Sequence, residues 1–115
     1  MKYMLMIYGN EAAMAKARKA DFEQMMGAYL AYTEAMKQAG VIVAGDALEH
    51  SSTGTVVRVA DGKTQVLNGP YAETKEQLAG YYIIDVADLD AALSWAARCP
   101  GAQHGAIEVR PLRAM

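Results

Sequence analysis

At 115 residues, 53% of them hydrophobic, the chain suits a single compact core and is short for two domains. A formal net charge of -2, with no basic run longer than Lys16-Ala17-Arg18-Lys19, excludes the electrostatic footprint that a nucleic-acid partner requires. A lone cysteine, Cys99, forbids an intrachain disulfide and points to a reducing compartment, the cytoplasm; no stretch is apolar and long enough to predict a leader or a membrane span.

Lys2 to Tyr8 opens the chain as a strand whose alternate sets, Tyr3/Leu5/Ile7 and Met4/Met6/Tyr8, are both apolar, the pattern of a central strand covered on both faces. Asn10 to Lys19 is alanine-rich and predicts a short helix or a loop. Asp21 followed by Gln24 predicts the start of the main helix. Phe22, Met25, Met26, Tyr29, Tyr32, Thr33 and Met36 then recur at three- and four-residue steps as a core stripe, and Gly40 supplies a left-handed cap. Val41 to Leu48 forms the second strand. Gly54 to Ala60 and Lys63 to Leu67 make a hairpin about Asp61-Gly62, a strong short turn signal.

Gly69-Pro70 stops the hairpin's second strand, since proline lacks a ladder donor and restricts the residue before it. The polar segment that follows ends where Gly80 to Val86 resumes as a strand. Asp88 caps a helix carrying Leu89, Ala92, Leu93, Trp95 and Ala96, which stops at Pro100-Gly101, and Ala106 to Pro111 closes the sheet. Without the hairpin the order is βαββαβ, so the predicted fold is α+β and ferredoxin-like with an inserted β-hairpin, one domain over residues 1–115. Both crossover helices of that plan fall on one sheet face. The other face, apolar in its middle strands, predicts burial against a second copy, a homodimer through sheet faces.

The chemistry-bearing residues are sparse. His50 lies near Glu49 and four residues beyond Asp46, but in a strand Asp46 and His50 stand about 13 Å apart, so a partner for the imidazole must come from another strand or subunit. His104 sits in the loop before the last strand, where it either faces a cleft or bonds a loop carbonyl. Arg58 and Arg110 fall within strands and either hold a ligand carboxylate or pair with Glu108, Asp46 or Glu73. Tyr71, Glu73, Thr74, Lys75 and Glu76 form a loop unlike its flanks, while Thr74 with Gln77 matches a capping box that would explain its polarity by a single helical turn. Two histidines and one cysteine make no structural zinc set, no cofactor motif is present, and no catalytic residue is assigned. The ligand-binding candidates are Tyr71, Glu73, Lys75, Arg58, Arg110, His104 and His50.

Asn68-Gly69-Pro70-Tyr71-Ala72-Glu73-Thr74-Lys75-Glu76, running through Gln77 to Gly80 into Tyr81-Tyr82-Ile83-Ile84, resembles the Asp-Gly-Pro-Phe motif of the YCII-related family, DGPF-domain branch. Val57-Arg58-Val59 and Asp61-Gly62-Lys63 upstream, with Trp95 to Arg98, His104-Gly105 and Ile107 to Pro111 downstream, extend the resemblance over nearly the whole chain. It implies a ferredoxin-like fold, a dimeric α/β-barrel assembly and a bacterial source, with a biochemical role largely unassigned. Some members are associated with extracytoplasmic-function sigma factors. Asn68 stands where aspartate is usual and Tyr71 where phenylalanine is usual; asparagine keeps the side-chain-to-backbone turn bonds but loses the charge. The histidine-aspartate pair proposed for enzyme-like members has no match on these residues. The expected function is small-molecule binding between the sheet and the 68–77 loop; the alternatives are a non-catalytic partner of a sigma factor and, by analogy of assembly, a cofactor-free oxygenase.

Overall fold

A computed structural model describes residues 1–115. In chain order the elements are β1 (Lys2–Gly9), α1 (Glu11–Ala15), α2 (Lys19–Gln38), β2 (Ile42–Ala47), β3 (Thr55–Ala60), β4 (Lys63–Asn68), β5 (Gln77–Asp85), α3 (Leu89–Arg98) and β6 (Ala106–Pro111). Short 3-10 turns occupy Ser51–Thr53 and Pro100–Gln103. The main sheet is antiparallel with order β2-β5-β1-β6, which puts β1 in the interior as its apolar sequence predicts.

Strand alternation sorts β1 cleanly. Tyr3, Leu5 and Ile7 are buried, and with Ile84 and Val86 they meet Tyr32 and Met36 of α2 and Ala92 and Ala96 of α3 in one core. Met4, Met6 and Tyr8 point the other way and are only half-buried, as are Tyr81 and Ile83 across the ladder, and none of the five joins that core. The two long helices therefore protect one side of the sheet.

α2 departs from its predicted start. It begins at Lys19, with Arg18 in the cap position and no side-chain cap bond, because Asp21 sits inside the first turn and is held by the Arg18 guanidinium at 3.0 and 3.2 Å. A carboxylate there still complements the positive end of the helix. Its apolar stripe is also shorter than predicted: Tyr32 and Met36 are buried, Met25, Tyr29 and Thr33 half-buried, and Phe22 and Met26 exposed. The packing concentrates in the second half, where Tyr32 Oη donates to the Trp95 carbonyl at 2.7 Å, Thr33 bonds Tyr82 at 2.8 Å, and Cys99 lies buried beside Tyr29. Gly40 has φ 71°, as its cap role requires, and Asp88 accepts from Ala91 N at 2.9 Å to start α3.

β3 and β4 form a separate ribbon that pairs with no other strand. Its turn places both Asp61 and Gly62 at positive φ, 50° and 73°, the requirement of a type I′ hairpin. Because this ribbon is not folded back onto the body, the molecule is flat, 48 × 43 × 19 Å, and its radius of gyration of 16.1 Å exceeds the about 13 Å of a compact chain this long.

One irregularity positions the site. Ile7 pairs with Gly80 but Tyr8 pairs with Leu78, so Ala79 is an extra residue in β5 at the end of the sheet. Ala79 instead accepts from Leu48 N at 2.8 Å, drawing in the chain that leaves β2. Gly80 permits the approach, since a Cβ there would lie 2.9 Å from the Asp46 carbonyl oxygen. No helix is long and apolar enough to cross a membrane.

Candidate functional site: a carboxylate, imidazole and hydroxyl cluster beside a polar cleft

The ends of β1 and β2 flank the start of β5, and this brings together residues distant in sequence. β1 runs into Asn10, whose side chain caps α1 by accepting from Ala13 N at 2.9 Å, so Glu11 is the first residue of a helix anchored to the sheet end. Its own N–H donates to Gln77 Oε1 at 3.0 Å. From there the Glu11 side chain reaches the turn after β2. Ser51 N donates to Oε1 and Ser51 Oγ to Oε2, both at 2.7 Å, and His50 Nε2 stands 3.2 Å from Oε2.

This carboxylate is well held. The Ser51 hydroxyl is the main reason that its pKa falls below the ordinary value, helped by the Ser51 N–H and by His50, and opposed by partial burial. The sign of the linkage follows: a depressed folded-state pKa adds stability above the ordinary carboxylate range, and that stability is lost as pH falls through the folded value. Glu11→Gln should therefore show a smaller drop in melting temperature between pH 7 and pH 3 than the parent chain. An unchanged drop would mean that Glu11 is not ionised in this network.

The imidazole is oriented by the backbone. Ser52 N donates to His50 Nδ1 at 3.2 Å, which makes Nδ1 an acceptor and leaves the ring proton on Nε2, aimed at Glu11. Ser52 Oγ lies 2.9 Å from the same Nδ1. The result is a hydrogen-bonded row from Ser52 through His50 to Glu11, with Nδ1 reached by the Ser52 N–H and hydroxyl and Nε2 directed at the carboxylate.

A cleft of about 310 Å³ opens beside this row, lined by Ser51, Ser52, Pro70, Ala72, Glu73, Thr74 and Gln77. Its far wall is the 70–77 loop, which forms no helical turn. The predicted capping box is absent because Thr74 Oγ1 bonds the Glu76 carbonyl, and Gln77 spends its amide on the Thr74 carbonyl and the Glu11 N–H. Gly69 N donates to Gly54 O at 2.7 Å and ties the loop's first residues to the turn bearing His50. The lining offers hydroxyls, an amide and one carboxylate, and no lysine or arginine.

The candidates named from sequence are dispersed. His50 belongs to the cluster and Glu73 to the cleft wall. Tyr71 is exposed, its ring 5.3 Å below the Arg58 guanidinium, and Lys75 is an exposed loop residue outside the cleft lining. Arg110 pairs with Glu108 at 3.9 Å on the uncovered sheet face. His104 ends the second 3-10 turn through its backbone, its N–H bonding Gly101 O at 3.2 Å, and its ring has no hydrogen bond within the chain. Asp46 is engaged by Tyr81 Oη at 2.8 Å and not by His50. Sequence reasoning missed Glu11, Ser51 and Ser52. The available signal was topological: in a sheet of order β2-β5-β1, the residues following β1 and β2 converge at the start of β5.

Fold and site together define a small α+β protein with an antiparallel sheet and a polar cleft at one sheet end. The chain belongs to the YCII-related family, whose domain is matched over residues 1–115. It is 36% identical over 114 residues to the uncharacterized protein R00369 of Rhizobium meliloti (strain 1021), covering 97% of this chain and 92% of that one. In structure it is similar to the 5-chloro-2-hydroxyhydroquinone dehydrochlorinase TftG of Burkholderia phenoliruptrix AC1100, solved in complex with 2,5-dihydroxybenzoquinone. That likeness has a TM-score of 0.56 at 16% identity and covers 100% of this chain and 96% of the other, a similarity of fold.

Proposed function

We propose that the chain binds a small, uncharged or cationic hydroxyl-bearing molecule in the cleft between the His50 turn and the 70–77 loop, and that His50, backed by Glu11, moves a proton on it. The observation that carries this reading is the Ser52–His50–Glu11 row, a fixed tautomer with a buttressed carboxylate at the mouth of a polar pocket. The Glu73 carboxylate, the one charged group in the lining, disfavours an anionic ligand. Hydroxylated rings suit the hydroxyls, amide and carboxylate of the lining. A thermal-shift screen over hydroxylated aromatics, quinones and neutral polyols tests it. A ligand at 100 times its dissociation constant adds about 2.7 kcal/mol to stability, so a binder raises the melting temperature plainly, and a screen without a shift refutes the reading.

The assembly forms part of the same proposal. We place the chain in the DGPF branch on Asn68-Gly69-Pro70-Tyr71, with the ferredoxin-like plan and a cytoplasmic homodimer joined by its uncovered sheet faces. That face has an apolar middle of Met4, Met6, Tyr81 and Ile83 and a polar border of Asp46, Glu108 and Arg110, the anatomy of an interface.

A further inference from the structure

The β3–β4 ribbon pairs with no strand of the main sheet, and its one aromatic contact is Arg58 over the Tyr71 ring. It hydrogen-bonds only within itself, and a two-stranded ribbon alone is marginal in water. Its two faces differ. On one, Thr55, Val57 and Val59 stand opposite Asn68, Val66 and Thr64, an uncharged surface in which Val57, Val59 and Val66 are 60%, 69% and 60% exposed. The other face, beyond Val56 and Leu67 at its base, carries Arg58, Gln65 and Lys63. A solvated ribbon has no reason to keep three valines on one side and its cations on the other; a ribbon covered on one side does.

We propose that this ribbon is a dimerisation arm whose Val57/Val59/Val66 face is covered by a second copy of the chain. The proposal rests on the sheet-to-sheet dimer above and adds to it. The same chain carries two uncovered apolar surfaces, one on the body and one on an arm projecting from the same body. A twofold pair that exchanges arms covers both in each copy and closes the assembly at two. The area agrees. With strands about 4.8 Å apart rising about 3.4 Å per residue, the main sheet face spans about 400 Å² and a ribbon face about 200 Å². Sheet face, own arm and the surface beneath the partner's arm give a footprint of about 800 Å² per copy, enough for a stable interface.

Hydrogen exchange on the unmodified protein tests this directly, read at residues 55–68 across a dilution series alongside sedimentation. The arm amides should be protected at concentrations where the dimer is populated and lose at least 100-fold in protection as it dissociates. A dimer whose arm amides exchange freely overturns the arm and leaves the sheet interface standing. A protein that stays monomeric at every concentration overturns both, and an arm protected in the monomer shows that it folds onto its own body. Val57→Asp provides the second arm of the experiment, at a position exposed enough for the monomer to fold. It should weaken dimerisation at least 100-fold, whereas Lys63→Asp on the opposite face should change it less than threefold; equal effects would count against a covered valine face.

Discussion

Truncating Leu5 to alanine is expected to lower the unfolding free energy by about 3 to 5 kcal/mol, the range for deleting a fully enclosed aliphatic side chain. Leu5 is 0% exposed and sits mid-strand on β1, with Tyr82 of β5 on one side and Val109 of β6 on the other. Strands hydrogen-bonded on both sides cannot close around a void, so the cavity term is paid nearly in full. Urea melts would show the loss in the midpoint with an unchanged slope, and thermal melts a fall of more than about 12 °C. Met6→Ala, one residue along on the uncovered face, should cost far less in the dissociated chain. A Leu5→Ala loss below about 1 kcal/mol would mean that β1 is not the central strand.

His50→Gln is expected to slow turnover of a processed ligand by about 10² to 10⁴-fold, the usual contribution of a positioned general acid or base. Binding should survive, because His50 stands behind Ser51 and Ser52, which line the cleft themselves. The informative measurement is the division between KM and kcat for a hydroxylated ring compound that raises the melting temperature. A change confined to kcat supports proton transfer, whereas a change confined to KM reduces His50 to a cap of the 3-10 turn, a role that its bond from Ser52 N already fills. Ser52→Ala should have a smaller effect, about 10-fold, since the imidazole keeps its backbone bond and its carboxylate.

Much of the fold was legible because short-range rules governed it. Asp61-Gly62, Gly40 and Asp88 each need a particular backbone geometry or cap, and each has it. Apolar residues on both faces of β1 and β5 announced interior strands, and a sheet with one unprotected face followed. The start of α2 was misplaced because an ion pair between Arg18 and Asp21 took the side chain that capping would have used. The 70–77 loop was misread for a related reason: Gln77, taken as a capping residue within the loop, is occupied by Glu11 at the far end of β1. The site was largely hidden. Its carboxylate and its serine lie 40 residues apart and meet only through sheet order, so no local spacing encodes them. His50 was visible as a residue without a partner; the partner came from helix α1 and not from the other strand or subunit that strand geometry had suggested.

The unpaired Ala79 carries more than a kink. Strand parity inverts at every insertion, so removing that residue would carry Gln77 to the opposite surface and the whole 70–77 loop away from Glu11 and Ser51. The location of the cleft is thus written in a residue count and not in the identity of its lining. Side chains along the cleft can therefore be substituted while the cleft itself stays where arithmetic has put it.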